Sequence, residues 1–135
     1  LGIAKAKPKE SVLVITGDGE MLMAMGAFAT IAVQAPNNLT IAILDNGHYG
    51  ETGMQLSHAG HGVRLDQVAR SVGFSDASQV TDMAGVTGLR ERIHRRNALI
   101  CANIVVGTGE VERVLPSRDA VHIKNRFKMA LGQRV

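Results

Sequence analysis

The apolar residues of this chain fall into short blocks separated by glycine-rich and polar breaks. Val12 to Thr16 (VLVIT) is a β-branched run of strand length that ends on Gly17-Asp18-Gly19, the pattern of a buried strand entering a glycine turn. From Glu20 to Gln34 the segment EMLMAMGAFATIAVQ is rich in helix formers and apolar on every face. It predicts one buried helix, with Met21, Met23 and Met25 packed in the core. Pro36-Asn37-Asn38 closes that helix, and Leu39 to Asp45 (LTIAILD) is again near-continuously apolar. Strand, helix and strand within about 35 residues predict a right-handed parallel crossover.

Asn46 to Arg64 breaks the rhythm. Five glycines and three histidines stand there without helical or alternating periodicity, which predicts a long loop. It leaves the carboxyl end of a strand, where open parallel sheets bind ligands. A second helix is expected from Asp66 as N-cap, with Leu65, Val68, Ala69 and Val72 on one side and Gly73 as its stop. A third runs from about Thr81 to Arg95, its face marked by Val86, Leu89 and Ile93, and a strand follows from Leu99 to Val106. After Pro116 a basic tail ends in a short helical pattern with Phe127, Ala130 and Leu131, read as a docking element. The predicted class is α/β, a parallel sheet with helices on both faces, forming one domain over residues 1–135 with a basic tail from about residue 113.

Composition removes several alternatives. Apolar residues at 45% and charged residues at 20% exclude a disordered composition. Gly26 and Thr30 interrupt the longest apolar run, so no membrane span is expected, and Lys5, Lys7 and Lys9 interrupt any signal-peptide core. The single cysteine, Cys101, lies within an apolar strand and suits a reducing cytoplasm. The net charge of +3 raises nucleic-acid binding, but aromatics at 3% leave no stacking residues between the basic ones. Arg118, Lys124 and Arg126 read as a solvated basic tail.

Gly17-Asp18-Gly19 at a strand-to-helix junction carries the chemistry. The glycines let the backbone approach a ligand, and the first helical amides, around Glu20 and Met21, make an anion site. An aspartate there would repel a phosphate unless a divalent cation neutralises both, whereupon Asp18 becomes a ligand. Magnesium takes near-octahedral oxygen ligands. The neighbouring strand ends at the same sheet edge and offers the Asn46 side-chain oxygen and the His48 carbonyl. A lone Gly-Asp-Gly or Asn-Gly is an ordinary turn signal. Their joint occurrence around a crossover favours a metal-diphosphate site.

Gly17-Asp18-Gly19 followed by Leu44-Asp45-Asn46-Gly47-His48-Tyr49-Gly50 resembles the metal-diphosphate motif of thiamine-diphosphate enzymes. The segments MLMAMGAFATIAVQAPNNL and ILDNGHYGETGMQLSH are similar to the matching region of sulfopyruvate and phosphonopyruvate decarboxylases, and the likeness runs from Leu1 to Val106. The resemblance implies the diphosphate-binding fold and a cofactor pair of thiamine diphosphate and magnesium. Asp18 and Asn46 would bind the metal by side chain and His48 by its carbonyl. The diphosphate would lie on Gly19 and Glu20, with Gly17, Tyr49 and Gly50 lining the cofactor site. Glu51 and Thr52 would face the reactive ring and the substrate, and His58, from its place in the loop, is a candidate for proton transfer or for holding an anionic tail. The implied substrate is a small 2-oxo acid with an anionic far end. Such domains begin with a further strand and helix, so the chain is expected to be N-terminally truncated. The glutamate that activates the cofactor belongs to a pyrimidine-binding domain of a partner subunit, so a homo- or hetero-oligomer is expected and the isolated chain should bind cofactor weakly and catalyse nothing.

Rival readings follow from the same residues. Gly17-x-Gly19 and Asp45 suit a Rossmann-type nucleotide-binding module, but Leu22 stands where the third glycine belongs and no P-loop Lys-Ser/Thr pair follows. His48, His58 and His61 suggest zinc only weakly, lacking further ligands. A catalytically dead structural subunit is disfavoured by the presence of both Asp18 and Asn46. Carboligation, as in acetolactate synthesis, stays open.

Overall fold

The computed structural model describes residues 1–109 and 116–134. Four parallel strands form one sheet: β1 (Val12–Gly17), β2 (Leu39–Asp45), β5 (Asp76–Val80) and β6 (Ile100–Val105), in the order β1-β2-β6-β5. The central strands β2 and β6 are the near-continuous apolar runs of the sequence. The edge strand β5, DASQV, is the element the sequence pattern did not predict, because its three polar residues hide it. It forms because Ala77 and Val80 are buried on opposite faces, while Asp76 and Ser78 bond to Arg92 from the helix above.

Alternation along the strands divides the core in two. Leu39, Ile41, Ile43, Ala77 and Cys101 face one side, where α1 (Gly2–Ala6), α2 (Asp18–Met23), α3 (Gly26–Gln34) and α4 (Leu65–Val72) contribute Ala4, Met21, Phe28, Leu65 and Ala69. Phe28 and Phe74 meet there edge to face, 5.3 Å between centroids. Ile100, Ala102 and Val80 face the other side, packed under Leu89, Val86 and Ile93 of α5 (Met83–Arg95). Helices therefore cover both faces, as the pattern predicts.

Four expectations change in detail. Strand β1, read as buried, is an edge strand paired only with β2, and its Leu13, Val14 and Ile15 are exposed. The single helix over Glu20–Gln34 is two, α2 and α3, with a break at Ala24 and Met25 ahead of Gly26, whose backbone freedom weakens a helix interior. Nor is it buried all round. Met21 and Phe28 face the sheet and Met25 is half-buried, but Met23 and Val33 are 78% and 81% exposed. A helix lying on a sheet buries only the stripe that faces it, so Met23 is not a core residue. Helix α4 is capped at Arg64 rather than Asp66; Asp66 sits in the first turn, held by Arg64 at 3.0 Å, where a carboxylate complements the helix dipole.

The long loop contains a small hairpin, β3 (His48–Tyr49) antiparallel to β4 (Gln55–Leu56), closed by a 3₁₀ turn over Gly50–Thr52. The C-terminal helix α6 (Ala120–Ala130) comes back to α1, where Lys7 donates to the Leu131 carbonyl at 2.8 Å. The start of the basic tail, around residue 113, lies outside the described residues. Among the described residues no helix is long and apolar enough to cross a membrane.

Candidate cofactor and cation site

Strands β1 and β2 run in register, Gly17 opposite Leu44, so the chain leaves both at the same edge of the sheet. At the first exit Glu20 folds its carboxylate back over the turn, accepting from the Gly17 N–H at 3.0 Å and from the Thr16 hydroxyl at 2.8 Å. The Gly17 N–H, and after it Thr16, hold the Glu20 carboxyl below the usual glutamate range. Sequence reading assigned this residue only through its amide; its side chain secures the turn.

Asp18 opens α2 and is 2% exposed. Its Oδ2 accepts a hydrogen bond from Ser57 Oγ at 2.5 Å, and Ser57 is itself wholly buried. Among the described residues no arginine, lysine or histidine forms an ion pair with this carboxylate. A buried carboxylate held only by a neutral donor keeps its charge uncompensated, an arrangement that favours a cation from outside the chain.

The second exit is built around Asp45. Its Oδ1 accepts from the Gly47 N–H at 3.0 Å and its Oδ2 from Asn103 Nδ2 at 2.8 Å. Asn46 is thereby fixed in a tight turn in which Gly47 takes a φ of +69°. The Asn46 side-chain oxygen accepts from the His48 N–H at 2.9 Å and retains a second lone pair. Ser57 joins the two exits, since its N–H donates to the Gly47 carbonyl at 2.8 Å while its hydroxyl reaches Asp18. One edge of the Tyr49 ring stands against Gly19, where a Cβ would lie 2.6 Å from Cδ1 and 2.8 Å from Cε1, so any side chain there must displace the ring.

The remaining candidates sit farther out. Glu51 and Thr52 occupy the exposed 3₁₀ turn, where the Thr52 hydroxyl is 3.3 Å from Gln55 Oε1. Gly50 begins that turn. His58 is exposed, 3.3 Å from the Tyr49 hydroxyl through Nδ1, and lines an open cleft of about 350 Å³ with Leu22, Met25, Tyr49 and Val63. Among the described residues Asp18 is bonded by Ser57 rather than by Thr52 or His58.

The donor chemistry fits a hard cation. Among the described residues no group of three or more His, Cys, Asp or Glu gathers as a metal cluster. A cation here would therefore draw on one carboxylate with amide and carbonyl oxygens, a magnesium-type set. Two polar residues went unread in the sequence. Asn103 carried a signal, being the lone polar residue in LICANIVV; it is fully buried, with its Oδ1 unpartnered among the described residues. Ser57 carried none, because only the fold brings it to Asp18 from 39 positions away.

A parallel sheet with helices on both faces and its polar crevice at the carboxyl edge is the architecture of a cofactor-binding α/β domain. The chain belongs to the family described as thiamine pyrophosphate enzyme, C-terminal TPP binding domain, whose pattern matches residues 1–103. It is similar to sulfopyruvate decarboxylase subunit beta of Methanothermobacter thermautotrophicus, 33% identical over 94% of this chain and 65% of that one. It is 40% identical to the same subunit of Methanocaldococcus jannaschii over 49% of this chain and 35% of that one. Phosphonopyruvate decarboxylase of Streptomyces hygroscopicus is 46% identical over 55% of this chain and 18% of that one. A solved Mycobacterium smegmatis structure described as thiamin diphosphate-dependent shares the fold, at TM-score 0.59 and 20% identity over 81% of this chain and 21% of that one. The chain thus spans about a quarter to two thirds of the beta subunits it matches.

Proposed function

We propose that this chain binds thiamine diphosphate through magnesium and serves a decarboxylase of small 2-oxo acids carrying an anionic far end, as its sulfopyruvate and phosphonopyruvate relatives are named. The observation that carries the reading is the Asp18 carboxylate, buried without a basic partner among the described residues and tied through Ser57 to the turn at Asn46. Asp18 and Asn46 hold the cation by side chain and His48 by its carbonyl. Gly17, Gly19 and Glu20 present backbone to the diphosphate, and Tyr49 and Gly50 close the site. When bound, the cofactor supplies the nucleophile and electron sink for decarboxylation, while the protein contributes orientation and charge compensation.

Glu51, Thr52 and His58 face the substrate in this reading. His58 holds the anionic tail or moves a proton at its Nε2, a reading supported by the Tyr49 hydroxyl 3.3 Å from its Nδ1. A partner pyrimidine-binding domain supplies the activating glutamate, in keeping with relatives named as beta subunits. The cytoplasm suits Cys101, a buried free thiol whose pKa is pushed up to about 12 by burial and then by Asp66.

Calorimetry and thermal melting test the binding. Magnesium with thiamine diphosphate should stabilise the chain, and NAD should not. Decarboxylation assays with and without the partner test the catalytic part; turnover by the chain alone would refute the need for a partner.

A further inference from the structure

We infer that Ser57 is a positioning residue for the cation site: its hydroxyl fixes the Asp18 carboxylate and its backbone fixes the turn that carries Asn46, so one residue sets both oxygen donors. This rests on the cation reading given above and extends it to a residue outside the metal-diphosphate motif. Ser57 has a single hydroxyl proton, and it goes to Asp18 Oδ2 at 2.5 Å. That commits one carboxylate oxygen and orients the other. The same hydroxyl accepts from the Gly60 N–H at 3.3 Å, and the Ser57 N–H donates to the Gly47 carbonyl at 2.8 Å. Gly60 in turn packs so closely on the Gly47 carbonyl that no side chain fits there. Loop 46–60 is thus closed on itself at the point where it grips Asp18.

The type of donor matters as much as its place. A lysine or arginine would cancel the Asp18 charge and weaken its pull on a cation. An alanine would leave the buried carboxylate oxygen without its donor. A neutral hydroxyl holds the carboxylate while leaving its charge to be met by the cation, the office that outer hydrogen-bond partners perform for metal ligands generally.

The test titrates manganese into the 135-residue chain in the presence of thiamine diphosphate, read by electron paramagnetic resonance, for wild type, Ser57→Ala, Ser57→Thr and Asp18→Ala. Ser57→Ala should weaken manganese binding by about 10-fold to 100-fold. Ser57→Thr, which keeps the hydroxyl, should recover most of it, and Asp18→Ala should abolish it. A purely structural serine would lower the melting temperature of the cation-free chain and leave manganese affinity of the folded fraction unmoved, and that result overturns the inference. So does Ser57→Ala binding within twofold of wild type while Asp18→Ala fails to bind. Wild-type chain that binds no manganese, or Asp18→Ala that binds normally, overturns instead the site reading beneath it. Should Ser57→Ala not fold, Ser57→Cys keeps the volume with a weaker donor; intermediate affinity supports the inference and wild-type affinity overturns it.

Discussion

Two carboxylates at opposite ends of the sheet are handled in opposite ways. Asp76, on the edge strand β5, is partly exposed and gripped by both of its oxygens, with Arg92 Nη1 at 2.6 and 2.8 Å. Asp18, at the carboxyl end of the other edge strand, is buried and receives one neutral hydroxyl. The first arrangement is electrically complete and asks nothing of a ligand. In the second a charge is withdrawn from water without a counter-charge among the described residues, which costs stability unless something outside the chain supplies one. The difference separates an acid that holds the fold together from one that, in the proposed function, meets a cation.

Replacing each acid should therefore have opposite consequences. Asp18→Asn should remove magnesium-dependent binding of thiamine diphosphate, a loss of at least about 100-fold, while leaving the melting temperature of the ligand-free chain level or higher, because an uncompensated buried charge is gone. Asp76→Asn should leave cofactor affinity unchanged and lower stability by about 1 kcal/mol, the size of a partly exposed ion pair with good geometry. Calorimetry and melting curves read both. Equal loss of stability in the two variants, with cofactor affinity kept, would erase the contrast.

Next in size is Gly19→Ala. Its Cβ would stand 2.6 Å from Cδ1 and 2.8 Å from Cε1 of Tyr49, so the ring must move off the turn. A cost of about 1–3 kcal/mol is expected from such overpacking. Tyr49 is the sole tyrosine of a chain without tryptophan, so intrinsic fluorescence reports its displacement directly. An unchanged spectrum with unchanged stability would show that the ring does not close over the turn. Asn103→Ala should cost a similar or smaller amount, about 1–2 kcal/mol, by removing the donor to Asp45 Oδ2. Because Asp45 holds the Gly47 N–H, cofactor affinity should fall with it; Asn103→Asp, which removes the Nδ2 donor, should not restore it.

How far the sequence could disclose all this depended on range. The central strands, the crossover and the two-sided sheet were legible because each announces itself within a few residues, as LTIAILD and the apolar run around Cys101 do; VLVIT announced a strand too, but not that it would lie exposed at the edge of the sheet. Strand β5 was not, since DASQV owes its form to Arg92 and to pairing with β6. Gly17-Asp18-Gly19 and Asn46 could be paired in advance because parallel strands must end at one edge. The exposure of Met23 could not be foreseen from an all-apolar helix, because composition does not say which stripe the sheet takes. Ser57 was silent for the same reason that makes it informative: its partner is 39 positions away, and only the fold of loop 46–60 introduces them.

The smallest effect tests whether the turn under Asp18 is itself electrostatically set. Glu20 binds the Gly17 N–H and the Thr16 hydroxyl as a carboxylate, and both bonds favour the ionised form in the folded chain. Above the ordinary glutamate range the group is ionised whether the chain is folded or not, so the full stabilisation is present. As pH falls below that range the unfolded chain takes up a proton that the folded chain refuses, and stability drains away until the lowered folded pKa is passed. Glu20 is largely exposed, so the acid slope of the melting temperature should be shallow. Glu20→Gln keeps an acceptor for Gly17 but cannot titrate, and should flatten that slope without abolishing cofactor binding. Should Glu20→Gln leave the acid slope intact, the turn owes its shape to glycine geometry rather than to charge.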